Sequence, residues 1–165
     1  MHSTKHNLQV LFEDNHIIII NKRAGDIVQG DKTGDKPLSD VVKEYIKDKY
    51  NKPNNVYLGV VHRLDRPTSG IVIFAKTSKA LTRLNKILRE KTIYKTYWAV
   101  VKNKPKEEET LTNWLKKNPK NNKSTAFNKE TIDCKKAILH YKIIKKLDTY
   151  FLLEIDLETG RHHQI

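Results

Sequence analysis

Val61-His62-Arg63-Leu64-Asp65-Arg66-Pro67-Thr68-Ser69-Gly70 runs directly into Ile71-Val72-Ile73-Phe74-Ala75-Lys76-Thr77. A single carboxylate, Asp65, lies between Arg63 and Arg66 in a polar knot. Apolar, strand-like residues flank the knot on both sides: Tyr57 to Val61 enter it and Ile71 to Ala75 leave it. Residues rich in β-branched and aromatic side chains favour strands. A lone acid among basic groups at a strand end is a good place for chemistry on a polyanion.

Working outward, Leu8 to Phe12 and His16 to Ile20 read as strands, turned at Glu13-Asp14-Asn15. Asn21 to Gly25 turns the chain again. Residues 26–37, with three Asp, two Gly and a Pro, read as a loop. Leu38 to Tyr50 is helical in pattern: Leu38, Val41, Val42, Tyr45 and Ile46 share one face. A second helix is expected over Lys79 to Arg89, capped by Thr77 or Ser78, with Ala80, Leu81, Leu84, Ile87 and Leu88 on its apolar face.

Farther on, Tyr94 to Val101 reads as a strand, with Tyr94 and Trp98 expected in the core. Glu107 to Lys117 is expected to form a short helix around Leu111, Trp114 and Leu115. Asn118 to Lys123 reads as a polar loop. Ala137 to Ile144 and Tyr150 to Leu157 read as paired strands. Strands with a few interleaved helices predict an α+β fold. Its mixed, mostly antiparallel sheet would carry flanking helices.

At 165 residues the chain fits one domain with a real core, and 38% hydrophobic residues are too many for a disordered chain. The net charge is +13, with a pI near 9.7. Such an excess favours nucleic acid first and a membrane surface second. It is uneven: residues 1–76 carry 12 basic and 9 acidic residues, residues 77–165 carry 20 and 10. The second half should supply most of the basic surface. The single cysteine, Cys134, excludes an intrachain disulfide and a thiolate metal cluster, and is compatible with a reducing compartment. The start shows no signal-peptide core, and no apolar run approaches the roughly 20 residues needed to span a bilayer.

A second informative segment is Leu157-Glu158-Thr159-Gly160-Arg161-His162-His163-Gln164-Ile165, and a third is Lys95-Thr96-Tyr97-Trp98-Ala99. Together with the Asp65 stretch, these resemble the motifs of the RluA family of RNA pseudouridine synthases. That family has His-Arg-Leu-Asp, two residues, Thr-Ser-Gly, an apolar run and Ala-Lys. Its middle motif is Lys-x-Tyr and its late motif is Leu-x-Thr-Gly-Arg-x-His-Gln-Ile. The first and last are specific; the middle one alone is weak. In order, they extend the resemblance from about Val10 to Ile165.

The resemblance implies an isomerase. Uracil is detached from ribose C1′, rotated and rejoined through C5. Asp65 matches the essential aspartate. A carboxylate suits the step either as a nucleophile at the sugar or as a stabiliser and proton acceptor, two routes the sequence leaves open. Arg161 matches the arginine that pairs with it; the competing reading is a phosphate-binding surface arginine. Tyr97 matches the tyrosine that stacks on the target base; a strand tyrosine is otherwise a core residue. Arg63, with His62 before it, matches the residue that displaces the target nucleotide.

Thr68, Ser69 and Gly70 would shape the loop that presents Asp65. Lys76 and Lys95 are candidates for a charged rim. His163 and Gln164 would hold the late loop by hydrogen bonds. His62, His162 and His163 lack a metal-ligand spacing, so no metal is expected, nor any organic cofactor. A methyltransferase reading fails for want of a glycine-rich strand-to-helix loop. The expected partner is structured RNA, ribosomal or transfer, bound by a cytoplasmic, monomeric protein with no membrane contact.

The family fold implies a central cleft, here within one catalytic domain over residues 8–165 and without a separate N-terminal RNA-binding domain. Arg23 stands where the family often has proline. The family domain normally continues past the late motif, so the chain reads as C-terminally truncated. The competing function is an RNA-binding protein that keeps the basic cleft without turnover.

Overall fold

A computed structural model describes residues 2–165, in two units that divide after residue 90. Both are α+β or β structures built on antiparallel sheets.

The first unit contains β1 (Val10–Glu13), β2 (Ile17–Lys22), α1 (Leu38–Lys49), β3 (Gly59–Val60), β4 (Gly70–Ala75) and α2 (Ser78–Arg89). Its sheet order is β1-β2-β4-β3, with every pair antiparallel. Along β2 the buried parity falls on Ile18, Ile20 and Lys22. Ile18 and Ile20 join Val72 and Phe74 of β4 and Leu38, Val42 and Ile46 of α1 in one core. This is the apolar face the sequence spacing predicts for the helix. Pro37 gives α1 no side-chain cap; instead the Leu38 and Ser39 amides donate to the Ile27 and Val28 carbonyls at 2.7 and 3.2 Å. The buried Ile27 and Val28 thus replace a cap.

Thr77 caps α2, its hydroxyl accepting from the Ala80 amide at 3.1 Å. The helix approaches Gly59 closely. A β-carbon at that position would meet Leu81 at 2.8 Å.

The second unit contains β5 (Thr96–Val101), β6 (Glu108–Asn118), β7 (Lys123–Phe127), β8 (Lys135–Lys146) and β9 (Phe151–Leu157). The order is β5-β9-β8-β6-β7, again antiparallel throughout. Leu139, Tyr141, Leu153 and Ile155 form its core, with Tyr97, Ala99 and Val101 packed against them.

Two expectations are corrected. The segment 107–117 is a strand, not a helix. Leu111, Trp114 and Leu115 have helical spacing, but β6 gains a full ladder with β8. Glu108 lies opposite Lys142, and Thr110 opposite His140 with a 2.6 Å side-chain hydrogen bond. Such cross-strand pairs outweigh weak local helix preference. Tyr94 and Trp98 are not core residues: they are 93% and 69% exposed. The inward parity of β5 belongs to Tyr97, Ala99 and Val101, which turns Trp98 outward.

Candidate functional site

In the first unit, Asp65 is exposed on a turn closed by the Thr68 amide, which donates to the Asp65 carbonyl at 3.0 Å. That turn is docked on the segment after β2. Gly25 N donates to the Arg66 carbonyl at 2.8 Å. Lys22 lies fully buried, and its Nζ donates to the carbonyls of Thr68 (2.6 Å), Arg23 (3.0 Å) and Arg66 (3.2 Å). Burial lowers the Lys22 pKa, and the charges of Asp26 and Asp65 partly offset that. Gly70 begins β4 at φ +134°, a conformation that suits glycine.

The flanking residues face different tasks. The Arg66 guanidinium turns to the 31–35 loop, meeting Asp35 at 2.7 Å and Thr33 at 2.9 Å. His62 Nε2 accepts from the Ile73 amide of β4 at 3.1 Å, which places the ring proton on Nδ1. Arg63 and Ser69 are exposed, and Thr68 is half-buried. Lys76 lies beyond the far end of β4, about 20 Å of strand away from Gly70. Its ammonium is spent on Glu13 (2.7 Å) and the Asp14 carbonyl (2.6 Å).

In the second unit, Lys95, Tyr97 and the late motif meet at one end of the sheet. Leu157 N donates to the Lys95 carbonyl at 3.3 Å. The Lys95 amine lies beside Gly160, 3.7 Å from where a β-carbon would sit. Tyr97 is half-buried, its ring packed on the Leu139–Ile155 cluster. Gln164 organises the loop. Its Oε1 accepts from the Arg161 amide and the Thr159 hydroxyl, both at 2.9 Å, and its Nε2 donates to the Ile138 carbonyl at 3.0 Å. Thr159 Oγ1 also accepts from Ile138 N at 2.8 Å. Arg161 Nε donates to the Lys136 carbonyl at 2.8 Å, which fixes the root of an exposed guanidinium. His163 adopts φ +53° and stacks on His162 with 3.8 Å between ring centroids.

The first unit thus gathers His62, Arg63, Asp65, Thr68 and Ser69 on one stretch, with Lys76 elsewhere. The second gathers Lys95, Tyr97, Arg161, His163 and Gln164. Sequence reading missed Lys22 and Ser124, whose hydroxyl donates to the His162 carbonyl at 2.7 Å. Lys22 left a signal: it occupies the buried parity of β2. Ser124 left none. Among the described residues no three His, Cys, Asp or Glu side chains gather in a group able to hold a metal, and no helix is long and apolar enough to cross a membrane.

Antiparallel sheets with flanking helices in this order match the pseudouridine synthase catalytic fold. Human RNA Pseudouridylate Synthase Domain Containing 4 superposes with a TM-score of 0.77 at 20% identity, covering 94% of this chain and 61% of that one. Human RNA Pseudouridylate Synthase Domain Containing 1 gives 0.76 at 14%, covering 99% and 64%. The RNA pseudouridylate synthase family model matches residues 16–165. The chain belongs to that family. It is 38% identical over 167 residues to the ribosomal large subunit pseudouridine synthase C of Buchnera aphidicola, covering 99% of this chain and 50% of the relative. It is 33% identical over 160 residues to an uncharacterised RNA pseudouridine synthase of Synechocystis sp., covering 96% and 49%. The chain spans about half the length of the curated relatives it matches.

Proposed function

We propose that this chain isomerises uridine to pseudouridine in structured RNA, ribosomal or transfer. The observation that carries the reading is the exposed Asp65 carboxylate, presented by a turn that buried Lys22 ties down at two carbonyls. The glycosidic C1′–N1 bond breaks and a C1′–C5 bond forms. The proton lost from C5 is balanced by one gained at N1, so no atoms are consumed and no cofactor is required. Asp65 serves as nucleophile or as stabiliser and proton acceptor. Arg161 is assigned the catalytic part that the family resemblance gives its late-motif arginine. Tyr97 is assigned the stacking face for the flipped base. His62, Arg63, Thr68, Ser69, Lys95, His163 and Gln164 are assigned to the RNA-facing surface. Lys76 stands apart from these, its ammonium engaged by Glu13 and the Asp14 carbonyl.

Residues 8–165 act as the catalytic domain of a monomeric, cytoplasmic protein. Support for the catalytic assignment comes from the family membership, and for a ribosomal substrate from relatives named for the large ribosomal subunit.

The test is Asp65→Asn. Carbodiimide labelling and primer extension on in vitro transcribed ribosomal RNA should show pseudouridine with the wild type and none with the variant, while RNA affinity stays largely intact. Turnover near wild type in the variant would sink the assignment. A second reading is an RNA-binding chain that keeps the basic surface without turnover. Wild-type binding with no product would select it.

A further inference from the structure

We infer that the β6–β7 hairpin is a clamp for the RNA sugar–phosphate backbone, hooked to the late-motif loop through Ser124 and His162. The inference rests on the proposed RNA substrate and names the part of the second unit that grips it.

The pairing registers fix where the hairpin stands. β8 begins at Lys135, opposite Leu115. Beyond Leu115, Lys116, Lys117 and Asn118 pair with β7 alone and project past the rest of the sheet. The tip is ordered by short side-chain turns: Asn118 Oδ1 accepts from Lys120 N at 2.9 Å and Asn121 Oδ1 from Lys123 N at 3.1 Å. A rigid projection loses little entropy on binding.

Its charge is one-sided. From Trp114 to Lys129 there are five lysines and no acid. Lys116 meets Asp133 at 3.5 Å, but Lys117, Lys120 and Lys123 are exposed and make no ion pair among the described residues. The same end of the sheet carries Lys95, Lys135, Lys136 and Arg161, because β5 starts, β8 starts and β9 ends there. At the opposite end two lysines are neutralised, Lys106 by Glu109 and Lys146 by Glu107 at 2.6 Å, while Lys102, Lys104 and Lys145 make no ion pair among the described residues and sit on no projecting ribbon. Unpaired, spaced ammonium groups on a projecting ribbon match a phosphate repeat and lack the apolar side chains that would enter a bilayer.

The hook is local. Ser124, paired with Lys117, donates to the His162 carbonyl at 2.7 Å and lies 2.9 Å from His162 Nδ1. His162 follows Arg161 directly. The strand that carries the clamp therefore holds the segment that carries the arginine, and RNA seated on the hairpin steadies that segment.

The experiment titrates a fluorescent stem-loop cut from large-subunit ribosomal RNA against the full chain at several salt concentrations. K117Q/K120Q/K123Q should weaken binding about tenfold or more and lower the log–log salt slope by about two to three. A control of equal charge loss at the other end, K102Q/K104Q/K145Q, should change the slope far less. Equal losses in both triple variants would overturn the clamp, because binding would then follow overall charge. The hook is read by hydrogen exchange. RNA should slow exchange at residues 161–164 in the wild type and in S124T. S124A should bind RNA with an unchanged salt slope and show no slowing there. Equal slowing in S124A would overturn the hook. Binding controlled by the hairpin lysines without any pseudouridine formation would defeat the isomerase reading and leave the clamp standing. Absence of RNA binding by the wild type would defeat both.

Discussion

Lys22 Nζ reaches the Thr68 carbonyl at 2.6 Å across 46 residues of sequence, from a position with no solvent exposure. The ammonium sits on the buried parity of β2 and faces the turn that presents Asp65. One side chain thus joins the first unit's core to its candidate catalytic loop.

Replacing it with methionine keeps the length and removes the donor. The Thr68 carbonyl loses its lysine donor, at about 1–3 kcal/mol when left unsatisfied, while the Arg66 and Arg23 carbonyls keep the Gly25 and Asp26 amides. Lys22→Met should therefore destabilise the chain by about 1–3 kcal/mol, a large share of a usual 5–15 kcal/mol. Urea unfolding would show a lowered midpoint. An unchanged midpoint would mean that the turn holds without the lysine.

Gly59 permits α2 to approach the sheet. Its substitution by alanine places a β-carbon 2.8 Å from Leu81 Cδ2 and 3.2 Å from Leu81 Cβ. Rotating the leucine relieves only the first clash, so the helix must shift, at about 1–3 kcal/mol. In a double-mutant cycle pairing Gly59→Ala with Leu81→Ala, the glycine substitution should cost clearly less once the leucine side chain has been truncated. Additive losses would show that Leu81 is not the obstacle.

Glu13 should make stability pH-dependent. Burial would raise its pKa, but hydrogen bonds from Lys49, Lys76 and Tyr50 outweigh this and hold it below the ordinary 4.5. A carboxylate with a depressed folded-state pKa stabilises above its unfolded value. That contribution is lost as pH falls through the folded value. The melting-temperature gap between wild type and Glu13→Gln should be full at pH 7 and shrink below about pH 4.5. A constant gap from pH 7 to about pH 3 would contradict the ionic account.

Gln164→Leu tests the late loop. Three hydrogen bonds to Thr159, Arg161 and Ile138 disappear, while the Leu139–Ile155 core is untouched. Pseudouridine formation should fall by on the order of 10²-fold, since a displacement of about 1 Å at a reacting group costs that much. The melting temperature should change only slightly. A rate equal to wild type would show that Arg161 is held by its Lys136 contact alone.

Much of the fold is legible because its signals are local. The isoleucine run of β2, the apolar faces of α1 and α2 and the Thr77 cap are all written within a few residues. β6 misleads because Leu111, Trp114 and Leu115 fit a helix, and only β8, farther along the chain, makes the strand the better solution. Trp98 misleads because bulk suggests burial, whereas the parity of β5 follows from which face meets Leu139 and Ile155. For the site, the motif order marks Asp65, Tyr97 and Arg161. The supports escape notice: a lysine is normally expected at the surface, and the Ser124–His162 bond spans 38 residues with no pattern to announce it.

The strand order of the second unit has a consequence for biosynthesis. β5 is made first of its five strands, yet its hydrogen-bonding neighbour is β9, the last. As the polypeptide leaves the ribosome, Trp98 and Val100 emerge on a strand without its ladder, and must wait until Phe151–Leu157 has been synthesised. The β6–β7 hairpin can zip meanwhile and β8 can join the other edge of β6, whereas closing β5 onto β9 needs a long loop to be shut. The nascent chain thus passes through a stage in which an apolar edge is open to chaperones and to strands of neighbouring copies.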